Sequence, residues 1–265
     1  MFDNICKFLA ESFSADFATW LLGESIELTQ LSPSELSLEP IRADALILLQ
    51  SDQVVLHLEF QTQPKADIPF RMIDYRLRVH RRFPQKQMRQ AVIYLQSTKS
   101  DLVQQSAFTL EKTRHEFEVI RLWEQPASAF LQSPGLLPFA VLSQVSDRAQ
   151  TLRQVAQLID QMPDPRAQSN VLASTFVLAG LVLESEVIQQ VLRRDIMQES
   201  VTYQLIKSEG REEGREEGRE EGREEALRQI VANLTREGMS PDVIARITGL
   251  TIEQIQQVQP AIDQP

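Results

Sequence analysis

Three polar side chains alternate with apolar ones in the segment "LHLEFQ", residues 56–61. In an extended strand successive side chains point to opposite faces, so His57, Glu59 and Gln61 should share one face. Asp44 opens the preceding apolar run, and a short hairpin between the two runs would bring it near Glu59. An Asp followed by Glu-x-Gln suits metal-assisted phosphodiester hydrolysis, because Mg²⁺ or Mn²⁺ binds carboxylates and activates a bound water.

The same alternation has a simpler interpretation, which is the solvated face of an ordinary hairpin. The three histidines, at positions 57, 80 and 115, are too scattered along the chain to predict a zinc site. On this interpretation His57 is a hydrogen-bonded neighbour of the row and not a metal ligand. Spacing alone leaves both interpretations open.

A basic helix is predicted after the polar row, from about Ile68 to Phe83. Between Arg71 and Arg89 the sequence has seven lysines or arginines and one acid, in a chain whose formal charge is −10. At about 100° per residue one stripe of the helix carries three arginines and one aromatic, while another face carries apolar residues. The stripe consists of Arg71, Tyr75, Arg78 and Arg82, and the apolar face of Phe70, Ile73 and Leu77. The stripe predicts binding to the DNA phosphate backbone, although a solvated face with ordinary surface arginines would have the same pattern.

Composition limits the environment in which the chain works. Cys6 is the only cysteine, which excludes an intramolecular disulfide and a Cys-x-x-Cys zinc site and fits a reducing compartment. The first residues lack the basic start and apolar run of a signal peptide, and the apolar stretch at residues 171–183 is too short to span a bilayer. We therefore expect a cytoplasmic protein with no membrane partner.

Several segments together resemble a known family. The string "PIRADALILL…LHLEFQTQP…IPFRMIDYRLRVHRRFP", followed by "VIYLQ", "EVIRLWEQP", "GLLPFAVL" and "QESVTYQLIKSEG", resembles the cyanobacterial branch of the recombination-promoting nuclease and transposase family, in the PD-(D/E)XK nuclease superfamily. The resemblance covers roughly residues 3–210. It implies an α/β fold with a restriction-endonuclease-like core, a mixed central sheet flanked by helices.

The resemblance also implies roles for individual residues. Asp44 and Glu59 become metal ligands, and Gln61 takes the place that lysine holds in many superfamily members. An amide can orient a water but supplies no positive charge, so we expect the metal and Arg71 to meet the charge that develops in the reaction. The superfamily often adds an acid from the first helix, for which Glu11 and Glu24 are candidates, with Glu24 as the possible additional acid.

Two further functions stay open beside a metal-dependent DNA endonuclease. The Gln61 departure and the acidic charge favour a catalytically weak or inactive DNA-binding or assembly protein on the same fold. An interaction scaffold that uses its helical half and its tail is the third hypothesis. Restriction-type nucleases often cut two strands as dimers, so a homodimer is one expectation.

The remaining sequence predicts four parts: a nuclease-like core (1–145), helices packed on it (146–208), a charged spacer helix (209–226) and a helical hairpin tail (227–265). The core is expected to contain a helix at 3–22, the helix near 68–83, and strands at 44–49, 54–61, 90–96 and 116–124. Later helices are expected near 147–161, 165–182 and 184–206.

The spacer is the repeat "EGREEGREEGREEGREEA", in which interior glycines weaken a helix by about 1 kcal/mol each. With no apolar stripe it predicts a solvated, partly helical segment, while a partner-binding acidic arm is the alternative. In the tail, Ser240 with Pro241 and Thr251 with Gln254 signal two helix starts. The second of these helices has no Lys or Arg, which favours a small helical hairpin that could bind a protein partner over a DNA-reading helix-turn-helix.

Overall fold

The computed structural model describes residues 2–31, 46–192 and 200–258, which fall into two compact units, Met1–Ile206 and Lys207–Pro265. The described strands of the first unit are β1 (Thr29–Gln30), β2 (Leu46–Gln50), β3 (Val54–Gln61), β4 (Gln87–Tyr94), β5 (Ala107–Leu110), β6 (Thr113–Glu116) and β7 (Glu118–Arg121). The described helices are α1 (Phe2–Ser12), α2 (Ser14–Leu22), α3 (Ile68–Arg82), α4 (Arg148–Asp160), α5 (Pro165–Ala179), α6 (Ser185–Val191), α7 (Val201–Arg236), α8 (Pro241–Thr248) and α9 (Ile252–Val258).

A mixed five-stranded sheet organises the first unit, in the order β1-β2-β3-β4-β7. The β1-β2 and β2-β3 pairs are antiparallel, whereas β3-β4 and β4-β7 are parallel. The predicted hairpin is confirmed: the turn between β2 and β3 is closed by the Ser51 N–H, which donates to the Val54 carbonyl at 2.9 Å. The α/β class with a mixed sheet flanked by helices is therefore confirmed.

Helices cover both faces of the sheet. On one face lie α1, α2 and a 3₁₀ segment, Pro134–Leu142, and their apolar side chains form the main core with Leu56, Leu58 and Phe60 of β3. On the other face lies α3, whose residues Met72 and Tyr75 are buried against the sheet. The polar row of β3 points to this second face, so α3 determines what surrounds it.

Three local predictions differ from the structure in the first unit. The helix expected at 184–206 ends at Val191, where Leu192 has extended backbone, and the next described helix begins at Val201. The helix expected at 3–22 breaks at Phe13, because this side chain packs against Gly135 and the Gly135 N–H donates to Asp16 Oδ2 at 2.7 Å. The strand expected at 116–124 is divided at Phe117, whose N–H donates to the Ser106 carbonyl at 2.9 Å. The breaks at Phe13 and Phe117 coincide with contacts to distant segments, which local periodicity does not contain.

The second unit contains most of α7 together with α8 and α9. Helix α7 includes the whole charged repeat, and the described arginines of that repeat are exposed. Two short helices follow in the tail, and Gly249 ends the first of them, α8, in the left-handed region with φ of 73°. Thr251 and Gln254 then cap α9 reciprocally, with distances of 2.8 and 3.2 Å. A small apolar cluster of Val231, Ile244 and Ile255 holds the three helices together.

Candidate active site around Glu59

The polar row of β3 is buried. His57 and Glu59 are 0% exposed and Gln61 is 4% exposed, so the interpretation of this row as a solvated hairpin face is wrong. The alternation itself is confirmed, since Leu56, Leu58 and Phe60 belong to the core on the opposite face. Burying a carboxylate without a partner is costly, so the surroundings of Glu59 require explanation.

Arg71 is the partner of Glu59. Its Nη2 donates to Oε1 at 2.8 Å and to Oε2 at 3.1 Å. The Arg71 side chain is 21% exposed while that of Glu59 is 0% exposed, so the guanidinium reaches the buried carboxylate from a position that solvent still touches. Gln61 Nε2 lies 3.4 Å from Glu59 Oε2, a long hydrogen bond on the same edge. The pair therefore lies at the border between the core and solvent.

The negative charge of Glu59 affects the pKa values of two neighbouring groups, Tyr75 and Asp3. Burial raises the pKa of the Tyr75 phenol, and the negative charge of Glu59 raises it further. Burial also raises the pKa of Asp3, in the first turn of α1, and Glu59 adds to that increase while Lys65 and Arg71 oppose it. Asp3 is thus a second acid within electrostatic range of Glu59.

A chain of polar side chains continues from Glu59 across the sheet. Gln90 Nε2 lies 2.7 Å from the Met72 carbonyl, which requires a donor there, and 2.9 Å from His57 Nδ1. A neutral His57 therefore accepts at Nδ1 and carries its proton on Nε2. That Nε2 lies 3.5 Å from Glu59 Oε1, longer than a hydrogen bond, and has no hydrogen-bond partner among the described residues.

The polar chain ends at an open cleft. Gln90 Oε1 accepts from His115 Nε2 at 2.8 Å. His115 and Gln90 line a cavity of about 380 Å³ together with Arg76 and Phe117. Burial lowers the pKa of His115, and the positive charge of Arg76 lowers it further. The imidazole is thus held in its neutral form, which matches its place beside a guanidinium.

The predicted DNA-binding stripe of α3 does not form one surface. Tyr75 is 5% exposed, lies under the helix and meets the His57 ring edge-on at 5.0 Å, so it offers no face to nucleic acid. Arg71 is engaged by Glu59, and Arg78 Nε donates to Asp74 Oδ2 at 2.9 Å. Arg82 is exposed, with its guanidinium 5.7 Å from the Phe83 ring centroid. The stripe splits because the buried face of α3 runs through Tyr75.

Glu24 and Glu11, the candidates for an additional acid from the first helix, lie away from Glu59. Glu24 is exposed and lines a cavity of about 430 Å³ with Asp52, at the β2-β3 turn where β3 begins. Glu59 lies five residues beyond the start of β3, about 16 Å at roughly 3.3 Å per residue. Glu11 accepts from Gln30 Nε2 at 2.8 Å and belongs to the strand β1 side of α1. The structure therefore brings neither Glu24 nor Glu11 to the site.

Asp3, which is close enough to feel the charge of Glu59, was not singled out from the sequence. Its sequence signal is weak: an acid in the first turn of a helix is ordinary, because it complements the helix dipole. His57 is the hydrogen-bonded neighbour of the row that the sequence analysis allowed for, whereas its partner Gln90 was not singled out. Their connection joins neighbouring parallel strands, in which His57 is directly opposite Gln90, and the strand pairing is not readable from either segment alone.

Asp44 lies outside the described residues. Leu46, two residues later in the sequence, is paired directly with Glu59 in the antiparallel β2-β3 ladder. Within the described ranges, no three His, Cys, Asp or Glu side chains are grouped so that they could hold a metal ion. The Glu59 oxygens have the chemistry that Mg²⁺ prefers, but the Arg71 guanidinium already contacts both. A metal that binds Glu59 would either use a lone pair that the guanidinium leaves free or displace Arg71 from one oxygen.

Comparison of the chain with protein families, with curated proteins and with solved structures finds no match. In the part of the chain that the structure describes, no helix is both long and apolar enough to cross a membrane.

Proposed function

We propose that the chain is a metal-dependent DNA endonuclease with a restriction-endonuclease-like core, acting at Glu59 in the cytoplasm. The observation that carries the proposal is the buried Glu59 carboxylate, which lies on a central strand and is paired with the partly solvated Arg71. A charge placed so deep destabilises a fold unless it is paired, and hydrophobic residues would fill the same place at less cost. The resemblance described above supplies the association with recombination or transposition.

Each residue of the site has a role in this proposal. Asp44 and Glu59 would hold Mg²⁺ or Mn²⁺, which when bound lowers the pKa of a water ligand. Arg71 would leave one Glu59 oxygen and turn toward the scissile phosphate, where its planar donors suit phosphate oxygens. Gln61 would accept from the attacking water through its amide oxygen, since its Nε2 faces Glu59.

A non-catalytic DNA-binding protein on the same fold is the second candidate. Two observations favour it: Arg71 donates to both oxygens of Glu59, and Gln61 carries no charge where many superfamily members have lysine. In that case the pair would be a fixed structural element. Binding of DNA would then continue without any need for Asp44.

Nicking of supercoiled plasmid in the presence of Mg²⁺ or Mn²⁺ tests the proposal. We expect wild-type protein to nick, and Asp44→Asn and Glu59→Gln to lose at least about 100-fold in rate, a scale typical for loss of an essential charged group. Asp52→Asn is the matched control, because this exposed acid lies on the β2-β3 turn. Equal nicking by all four proteins, or none by the wild type, would reject the enzyme, and DNA binding without nicking would support the second candidate.

A further inference from the structure

Helix α3 leaves large apolar side chains in solvent beside the candidate site. Phe70 is 60% exposed and Leu77 is 57% exposed. At about 100° per residue these two and Arg81 lie within about 40° of one another on the helix, and Arg81 is also exposed. We call Phe70, Leu77 and Arg81 the α3 strip. It lies on the side of the helix away from the buried Met72 and Tyr75.

The Phe70 ring is held in place although it is exposed. It contacts the Phe108 ring of β5 with 5.9 Å between the centroids and 60° between the planes. A ring supported from one side loses little conformational freedom when another planar group stacks on it. Phe70 is therefore ready to bind a planar apolar group.

The strip lies on the same helix as one residue of the site. Phe70 immediately precedes Arg71, whose guanidinium contacts the Glu59 carboxylate. Because the two residues differ by about 100° around the helix, a strand that contacts both the Phe70 ring and the Arg71 guanidinium has to follow the curved surface of α3.

The charge of α3 indicates which kind of partner binds the α3 strip. Within Ile68–Arg82 there are five arginines and one acidic residue, Asp74, in a protein whose formal charge is −10. A second copy of α3 would bring like charges together, whereas a polyanion would be attracted. An apolar strip beside arginines combines the two elements that bind single strands, since phosphates meet the cations and unstacked bases stack on the aromatic ring.

We propose that the α3 strip binds unstacked bases, so that the substrate is single-stranded or locally unpaired DNA. The choice of DNA rests on the proposed function. Bases of an intact duplex are stacked on each other and offer no face to Phe70. Leu77 extends the apolar surface by two helical turns from Phe70, and Arg81 meets the backbone at its far end.

Fluorescence polarisation with a labelled single strand, and with its duplex of equal length, tests this inference in EDTA. We expect the single strand to bind more tightly, and Phe70→Ser to weaken that binding about tenfold, the scale of one lost base stack. Phe70→Tyr, which keeps the ring, should stay within about twofold, since stacking needs only the aromatic face. Ile247→Ser is the control, because Ile247 is 56% exposed in the second unit. Leu77→Ser provides a second variant of the strip.

Equal affinity for both DNA forms, or no effect of Phe70→Ser, would overturn the inference. So would a wild-type dimer that Phe70→Ser dissociates in sedimentation, because the strip would then bind a second copy. The proposed function is judged separately: Phe70-dependent binding of single strands without any nicking would reject the nuclease and keep this inference. Nicking of duplex plasmid by a protein that binds single strands no more tightly than duplex would support the nuclease and overturn this inference.

Discussion

The two faces of strand β3 are equally buried and are held by different forces. On one face Phe60 stacks on Phe139 with 5.8 Å between the ring centroids, and Phe17 meets both rings edge-on. On the other face Glu59 is held by the Arg71 guanidinium and a long hydrogen bond from Gln61, and the buried His57 Nε2 has no hydrogen-bond partner among the described residues. The apolar face stabilises the fold, whereas a buried charge on the polar face costs stability unless it is paired, which is why our proposal puts the chemistry there.

Truncation of the apolar face should have the largest effect. Phe60→Ala removes a ring that is 1% exposed from the aromatic cluster. We expect the free energy of unfolding to fall by about 4 kcal/mol, from lost transfer energy and the cavity left behind. Urea denaturation of the two proteins measures the loss. A change under about 1 kcal/mol would show that this face is less tightly packed than the structure indicates.

Loss of Arg71, the partner of Glu59 on the polar face, should have the second largest effect on the free energy of unfolding. Arg71→Met leaves the Glu59 charge buried and unpaired, and we expect about 2–3 kcal/mol of destabilisation, reduced from the fully buried case because Arg71 is partly exposed.

Removal of both charges should reverse most of that loss. In Arg71→Met with Glu59→Gln no buried charge is left unpaired, so unfolding by urea should return to within about 1 kcal/mol of wild type. Additive losses in the double variant would contradict a direct interaction between the two side chains.

Gln90, which continues the polar chain beyond His57, should contribute less to the free energy of unfolding than Arg71 does. Gln90→Leu deprives the Met72 carbonyl of its donor and His115 of its acceptor. We expect a loss of about 1–2 kcal/mol in unfolding free energy. Gln87→Leu, an exposed residue on the same strand, is the control and should change stability by less than about 0.5 kcal/mol. Similar losses for both variants would mean that the buried bonds of Gln90 add nothing.

The smallest expected effect is a change in how the stability of the protein depends on pH. Burial and Arg76 lower the pKa of His115 below its ordinary 6.5, so the folded state binds a proton less readily there than the unfolded state. Stability from the neutral imidazole is present above the unfolded pKa and is lost as pH falls through the lowered folded pKa. Between about pH 7 and pH 5 the wild type should therefore lose more stability than His115→Gln. An equal slope for the two proteins would contradict this.

The difference between the faces also explains what the sequence predicts. The alternation of Leu58, Glu59 and Phe60 is local, so the opposite faces and the strand are predicted correctly. What covers each face is not local. The Glu59–Arg71 contact depends on how α3 lies on the sheet, and helical periodicity placed Arg71 and Tyr75 on one stripe although one is partly exposed and the other buried.

Features made by long-range contacts escaped prediction for the same reason. The β5-β6 hairpin turns at Glu111, which has a φ of 51° without the glycine or asparagine that normally signals such a turn. The 3₁₀ segment Pro134–Leu142 is apolar throughout and has neither strand nor helix periodicity. The polar chain from His57 through Gln90 to His115 likewise required the strand pairing to be known.

The rate of metal-dependent plasmid nicking by the double variant Arg71→Met with Glu59→Gln tests the central claim most directly. The claim is that the polar face of β3 is kept for chemistry and not for folding. It predicts a variant that unfolds at nearly the wild-type urea concentration and has lost nicking by at least about 100-fold. Nicking at the wild-type rate by this folded variant would contradict it.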